Sequence, residues 1–225
     1  MYNVKKNRIA IVIPAFNEEF TIAKVVKSVK VYGRIIIVVD DASTDLTRKI
    51  AEDSGALLIS HKINKGYDES INSGFKMALD LDCDAVITFD ADGQHSAKMI
   101  PTYINHLCNG NDLVLGVRPK NQRFSEFIFS MYTKYFFKWK DPLCGMKGYS
   151  MKIYKSLGYF DSYSSIGTEL AFYGLSKKYN FKEVNIPGIH RVDSPRFSTL
   201  FNSNILILFS LLKNIKKYGI IHKKN

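Results

Sequence analysis

Asp90, Asp92 and Gln94 occupy alternate positions in VITFDADGQH, residues 86–95, directly after a run of apolar residues. Carboxylates this close repel one another unless a cation or a proton lies between them. Alternate side chains of an extended segment point the same way, so the three are expected on one side, with Gly93 letting the chain bend. A hard divalent ion, Mg2+ or Mn2+, accepts such oxygens. Held by one or two carboxylates, it completes its shell with substrate phosphates and water, so a diphosphate is the expected ligand. DADGQHSAKMIP also begins like a calcium loop, but His95 stands at its sixth position where glycine is required and Pro101 at its twelfth where glutamate is required.

The elements that must position these groups are legible as a rhythm. Residues 9–13, 35–39, 57–59, 85–89 and 113–115 are short apolar runs without polar alternation, the pattern of strands buried on both faces. Helical patterns fall between them at 20–31, 45–54, 66–81 and 97–109. Strand and helix alternating at this spacing predict an α/β fold, a mainly parallel sheet flanked by helices. Such sheets bind ligands beyond the carboxyl ends of their strands. There the sequence places PAFNEE after the first strand, DDASTD after the second, DADGQH after the fourth and GVRPKNQR after the fifth. All four clusters are expected on one rim.

A chain of 225 residues with 46% hydrophobic content can bury a full core. Its 32 Lys and Arg against 21 Asp and Glu give a formal charge of +11, which favours an anionic partner. Cys83, Cys108 and Cys144 are odd in number and widely spaced, suggesting neither a disulfide framework nor a zinc knuckle and fitting a reducing cytoplasm. No GxGxxG follows the first strand and no GxxxxGK[ST] occurs, so dinucleotide and P-loop sites are not expected. The N-terminal apolar stretch is short and interrupted by Pro14, unlike a signal peptide. None of the five histidines shows ligand spacing.

In order, IPAFNEE, VVDDASTD, NKGYDESINSGFKMAL, FDADGQH, GVR, DPLCGMKGYS, GTELAF and EVNIPGIHRVDSPRFS resemble the family 2 glycosyltransferases. The similarity runs from about Ile9 to Phe197 and is strongest to the branch of dolichyl-phosphate mannosyltransferase and bacterial polyprenyl-phosphate glycosyltransferases. The resemblance implies a single Rossmann-like GT-A domain over residues 1–198, followed by an amphipathic, Lys-rich helix and tail over 199–225. It implies that Pro14, Ala15, Phe16, Asn17 and Glu18 line a nucleotide pocket, that Asp40 and Asp41 receive base and ribose, and that Lys65, Gly66, Asp90 and Ala91 lie against the nucleotide. Asp90, Asp92 and Gln94 match the family's metal site. Arg118, Arg123, Asp141, the Gly145 loop with Lys147, and Glu169 match the sugar and acceptor region. Arg191 and Arg196 match a basic motif closing over the diphosphate. The implied catalytic set is Asp92, Arg118, Glu169 and Arg191.

The implied reaction moves a sugar, with inversion, from a nucleotide-diphospho-sugar to a polyprenyl phosphate, whose largely dianionic phosphate needs no general base. A hydroxyl of a growing glycan is the alternative acceptor, with Glu169 as base. Ala42 stands where the family usually has Gly, Asp68 where a small residue is common, and Asp193 and Pro195 where Gly and Ser are frequent. No paired spanning helices follow, as they do in many relatives, so the acceptor is expected to be reached otherwise. In 124–139, Phe124, Phe127, Ile128, Met131, Tyr135 and Trp139 recur at helical spacing beside Arg123, Lys134, Lys138 and Lys140, as in an interfacial helix. NILILFSLLKNIKKYGIIHKK adds a second such segment, too short to span. Peripheral attachment to the anionic inner face of the cell membrane is the expectation, and a homo-oligomer is left open. A nucleotidyltransferase would carry a Gly-rich basic signature after its first strand, where PAFNEE is acidic. A nucleic-acid binder would lack the acidic rim.

Overall fold

The computed structural model describes residues 4–33, 35–119, 123–160, 162–187 and 200–219, the first three residues of the last segment as backbone only. Seven strands form one sheet: β1 (Ile9–Ala15), β2 (Ile35–Asp40), β3 (Leu57–Ser60), β4 (Ala85–Thr88), β5 (Leu113–Val117), β6 (Lys147–Ser150) and β7 (Phe181–Asn185). Their order is β3-β2-β1-β4-β6-β5-β7. Every neighbouring pair is parallel except those of β6, which runs antiparallel between β4 and β5. The expected strands are present, each within two residues of its predicted ends. β6 and β7 were not anticipated.

Helices cover both faces because every residue of β1 is buried and successive side chains turn opposite ways. Ile9, Ile11 and Ile13 face one layer, with Val25, Val26 and Val29 of α1 (Ile22–Lys30), Ala51 of α2 (Thr47–Asp53) and Tyr103 and Leu107 of α4 (Ile100–Cys108). Ala10 and Val12 face the other, with Ile71, Phe75 and Ala78 of α3 (Tyr67–Asp80). The same layer takes Phe129 of α5 (Phe124–Phe137), Ile153 of α6 (Met151–Leu157), Phe172 of α7 (Glu169–Ser176) and Ile207 of α8 (Leu200–Tyr218). At Gly74 any β-carbon would overlap a Val12 methyl, so a bare backbone lets α3 settle onto β1. That approach brings the first turn of α3 to the rim. The expected division near residue 198 falls outside the described residues, as do Arg191, Asp193, Pro195 and Arg196.

Candidate active site

A cavity of about 710 Å3 opens at the carboxyl ends of β1, β2 and β4, within the size range of small-molecule sites. The β1 loop supplies Pro14, Ala15, Phe16, Asn17 and Glu18, and the β2 end supplies Asp41. The α3 entry supplies Asn64, Gly66, Tyr67 and Ser70; the β4 turn supplies Asp90, Ala91 and Asp92; Leu143, Gly145, Lys147 and Ile166 close it. Three of the four polar clusters therefore meet on one rim.

The loops are stitched together by their own side chains. Asn17, at φ 52°, accepts from the Thr44 amide at 2.9 Å, while its own amide donates to Ser43 Oγ at 2.9 Å. Asn tolerates this left-handed conformation better than most residues. Asp41 organises the α3 entry: its carboxylate accepts the Lys65 amide at 2.9 Å, the Gly66 amide at 2.7 Å and His61 Nδ1 at 2.7 Å. Gly66, at φ 89°, makes that reversal possible. Of the two aspartates expected at base and ribose, only Asp41 lines the cavity; Asp40 is buried and accepts from the Ser43 amide at 3.3 Å. Lys65 is exposed and contributes its backbone to the Asp41 anchor rather than a side chain to the cavity.

Asp90 and Asp92 are gathered by a turn, which corrects the extended geometry predicted for this segment. The strand ends at Thr88, Gly93 takes φ 75°, and the Gln94 amide donates to Asp92 Oδ1 at 2.9 Å. Gln94 is not among the residues lining the cavity. His95, to which the sequence assigned no role, is brought back by the turn so that its Nε2 lies 2.8 Å from Asp90 Oδ2, with its ring edge-on to Phe89. Tyr67 donates to Asp90 Oδ1 at 3.0 Å. Burial by itself would raise the Asp90 carboxyl; His95, then Tyr67 and the nearby Lys147, outweigh it and hold Asp90 below its ordinary value. Lys147 is buried at the start of β6, and desolvation lowers its ammonium despite the opposing Asp90 and Asp141. Gly145 has to be glycine for a reason of space: a β-carbon there would stand 2.6 Å from Asp90 Cγ and closer still to Oδ2.

Among the described residues no three His, Cys, Asp or Glu side chains converge in metal-binding geometry. The donor set suits a cation with another requirement. Two carboxylates, one of them kept ionised, face a cavity large enough for a nucleotide, as in sites where substrate phosphates finish the shell of Mg2+ or Mn2+.

The fifth-strand cluster goes elsewhere. Arg118 is bidentate to Asp141, with Nε 2.7 Å from Oδ2 and Nη2 2.8 Å from Oδ1, and reaches Glu126 at 3.1 Å. Burial would lower its guanidinium, but the hydrogen bonds and charge of Asp141 raise it. Arg123 pairs with Glu126 at 3.1 Å. None of Arg118, Arg123 and Asp141 lines the cavity; they brace the segment that carries Gly145 and Lys147. Glu169 is fully buried away from it, accepting from the Ser162 amide at 2.8 Å, from Tyr218 at 2.7 Å and from Lys217. Both oxygens of the expected base are committed: Oε1 takes Lys217 and Tyr218 and so ties α8 to α7, while Oε2 takes the Ser162 amide. Tyr67, Ser70, Asn64, Leu143 and Ile166 complete the cavity without having been singled out in the sequence.

The family model described as Glycosyl transferase family 2 matches residues 10–185. An uncharacterized protein of Methanocaldococcus jannaschii is 32% identical over 229 residues, covering 93% of this chain and 93% of that protein. The UDP-N-acetylglucosamine–dolichyl-phosphate N-acetylglucosaminyltransferase of Methanococcus voltae is 34% identical over 134 residues, 51% of this chain and 53% of that protein. Among solved structures, glucosyl-3-phosphoglycerate synthase from Mycobacterium tuberculosis in complex with Mn2+ and uridine-diphosphate-glucose aligns with a TM-score of 0.76 at 21% identity, covering 92% of this chain and 79% of that one. That likeness shows the expected GT-A fold. By the match over residues 10–185, which takes in every residue lining the cavity and all seven strands but for Ile9, the chain belongs to glycosyl transferase family 2.

Proposed function

We propose that this glycosyltransferase moves a sugar from a nucleotide-diphospho-sugar to a polyprenyl phosphate of the dolichyl type, with inversion, at the inner face of the cell membrane. The convergence of Asp90 and Asp92 with the Asn17, Asp41 and Gly66 loops on one cavity carries the donor half of the proposal. The name of the Methanococcus voltae relative supports the acceptor half.

The nucleoside sits between the β1 loop and the Asp41 anchor, where backbone and side-chain hydrogen bonds fix the walls before anything binds. Preorganised walls lower the ordering cost of binding. Mg2+ or Mn2+ held by Asp90 and Asp92 supplies charge stabilisation for the departing diphosphate. Lys147, buried beside Asp90, stabilises the leaving group in its ammonium form, an effect greatest when the leaving group carries most charge. A phosphate acceptor is already mainly dianionic at neutral pH and attacks without a base, which accords with the burial of Glu169 away from the cavity.

A thermal-shift panel of UDP, GDP, CMP and their sugars with Mn2+ tests the donor assignment. One nucleotide series is expected to raise Tm, and Asp92→Ala to abolish the shift. No shift from any nucleotide removes the basis of the proposal.

A further inference from the structure

Helices α5 and α8 pack against each other and are apolar on both sides: Phe129 and Phe137 of α5 and Ile207 and Leu211 of α8 enter the core, yet large apolar side chains also point outward. On α5 the buried positions include Ser125, Glu126, Ser130 and Thr133, while Phe124, Phe127, Met131 and Tyr135 are exposed. On α8, Ser203, Ser210 and Asn214 are buried, while Ile205, Leu206, Phe209 and Leu212 are exposed. A helix on a water-facing surface keeps its outer face polar. Tyr135 is 82% exposed and Phe124 74%. At about 200 Å2 for an aromatic side chain, the four exposed aromatics alone leave on the order of 500 Å2 of largely apolar surface in water. With four aliphatics added, the patch passes the size usual for a monomer.

The buried polar sides have a use. Asn204 accepts from Ser125 Oγ at 2.6 Å, joining the first turns of the two helices. Glu126 holds Arg118, whose partner Asp141 braces the segment with Gly145 and Lys147. On α8, Ser210 donates to the Ser165 carbonyl at 2.8 Å and Asn214 donates to Thr168 Oγ1 at 2.8 Å. Residues 165–168 also bind Asp68, through the Ile166 amide at 2.9 Å and the Gly167 amide, and they present Ile166 to the cavity. Ile166 takes φ 56°, a strained conformation for a β-branched residue. Its neighbours on α8 and α3 hold it there. The inner faces of both helices thus grip the two segments that close the cavity.

Charge selects the occupant of the outer faces. The exposed lysines on and just after the two helices that carry no carboxylate partner among the described residues are Lys134, Lys138, Lys213 and Lys216, whereas Lys217 turns to Glu169 and Lys140 to Glu183; Glu126, the single acidic residue of either helix, is buried between two arginines. Lys213 lies 5.0 Å above the Phe209 ring. We propose that the outer faces of α5 and α8 form one docking surface for an anionic lipid bilayer, aromatic side chains entering the interface and lysines meeting headgroups. Trp139, expected on this surface from its spacing, is fully buried beyond the end of α5 and takes no part. The surface deepens the proposed membrane acceptor, since the helices that touch lipid also hold the walls of the cavity.

Flotation with vesicles tests the surface apart from the chemistry. The full chain is expected to float with vesicles of equal phosphatidylglycerol and phosphatidylcholine at low salt, and far less with phosphatidylcholine alone. Lys134→Gln with Lys216→Gln is expected to weaken partition about thirtyfold. Phe127→Ser with Phe209→Ser is expected to abolish it while nucleotide-dependent Tm shifts persist. Absence of wild-type flotation overturns the proposal, as does light scattering that shows a dimer lost in the Phe127→Ser, Phe209→Ser variant, since a second copy would then cover the face. Nucleotide shifts without flotation remove the surface and leave the donor site standing; flotation without nucleotide shifts does the reverse.

Discussion

Gly145→Ala separates space from stability at the carboxylate pair. The added β-carbon would lie 2.6 Å from both Asp90 Cγ and Oδ1 and closer to Oδ2, against a floor near 3.0 Å for such contacts. The Asp90 carboxylate must therefore retreat by several tenths of an ångström at Cγ and by about 1 Å at Oδ2, a displacement of the size that costs about a hundredfold in a positioned site. Leaving its place also breaks the 2.8 Å contact with His95 and the 3.0 Å bond from Tyr67. The atom that moves is the end of a side chain, so the backbone need not shift, and the loss to the fold is that of the bonds given up at Asp90, on the order of 1.5–3 kcal/mol. Calorimetric titration of the cognate nucleotide with Mn2+ should show affinity about a hundredfold weaker, with the protein still folding cooperatively at a Tm lowered by only several degrees. Affinity within about threefold of wild type would mean that Asp90 does not hold the ligand in this position.

Chelation by EDTA should remove the nucleotide-dependent Tm shift and excess Mn2+ should restore it; a shift that survives EDTA places nucleotide binding on the loops alone. Ala42 adopts φ 62°, so Ala42→Gly should raise stability by about 0.5–1 kcal/mol in denaturant unfolding, and a loss would show that the chain bears no strain there. Glu169→Gln should cost about 1.5–3 kcal/mol near neutral pH without weakening nucleotide binding; loss of turnover at unchanged binding and fold would restore a catalytic role. Burial alone would raise the Glu169 carboxyl, but Lys217, Tyr218 and Ser162 hold it below its ordinary 4.5. Its stabilisation is thus present above about pH 4.5 and lost as pH falls through the lower folded value, so the acid limb of a Tm–pH profile should be shallower in Glu169→Gln than in wild type.

The first half of the fold was legible because its strands are unbroken β-branched runs and its helices keep one apolar face. IAIVI and IIIVV have no plausible place except inside a two-sided sheet. β6 was not legible for the opposite reason. KGYS begins with a lysine, holds a glycine and is four residues long, so no periodicity marks it. It becomes a strand because β4 and β5 lie apart and leave their edges to be paired, a condition set by tertiary structure. β7 alternates only weakly, FKEVN, as an edge strand does.

At the site, the sequence identified which residues are chemically costly but not what each is spent on. Asp90, Asp141, Arg118 and Glu169 all read as ligand-facing, and the difference among them is made by residues distant in the chain. Asp141 lies 23 positions beyond Arg118 and takes its guanidinium bidentately; Lys217 lies 48 beyond Glu169 and takes its carboxylate. An ion in a site that excludes water binds the first well-placed opposite charge, because an unpaired buried charge costs more than any alternative. Asp90 escapes that fate in part. Its partners His95 and Tyr67 each take one oxygen by a single hydrogen bond, and Lys147 stands near it without a bond that would close the face toward the cavity. Ligand-binding character therefore resides less in the aspartate pair than in the small set of neighbours that keep Asp90 ionised and still turned toward the cavity, with Gly145 providing the room.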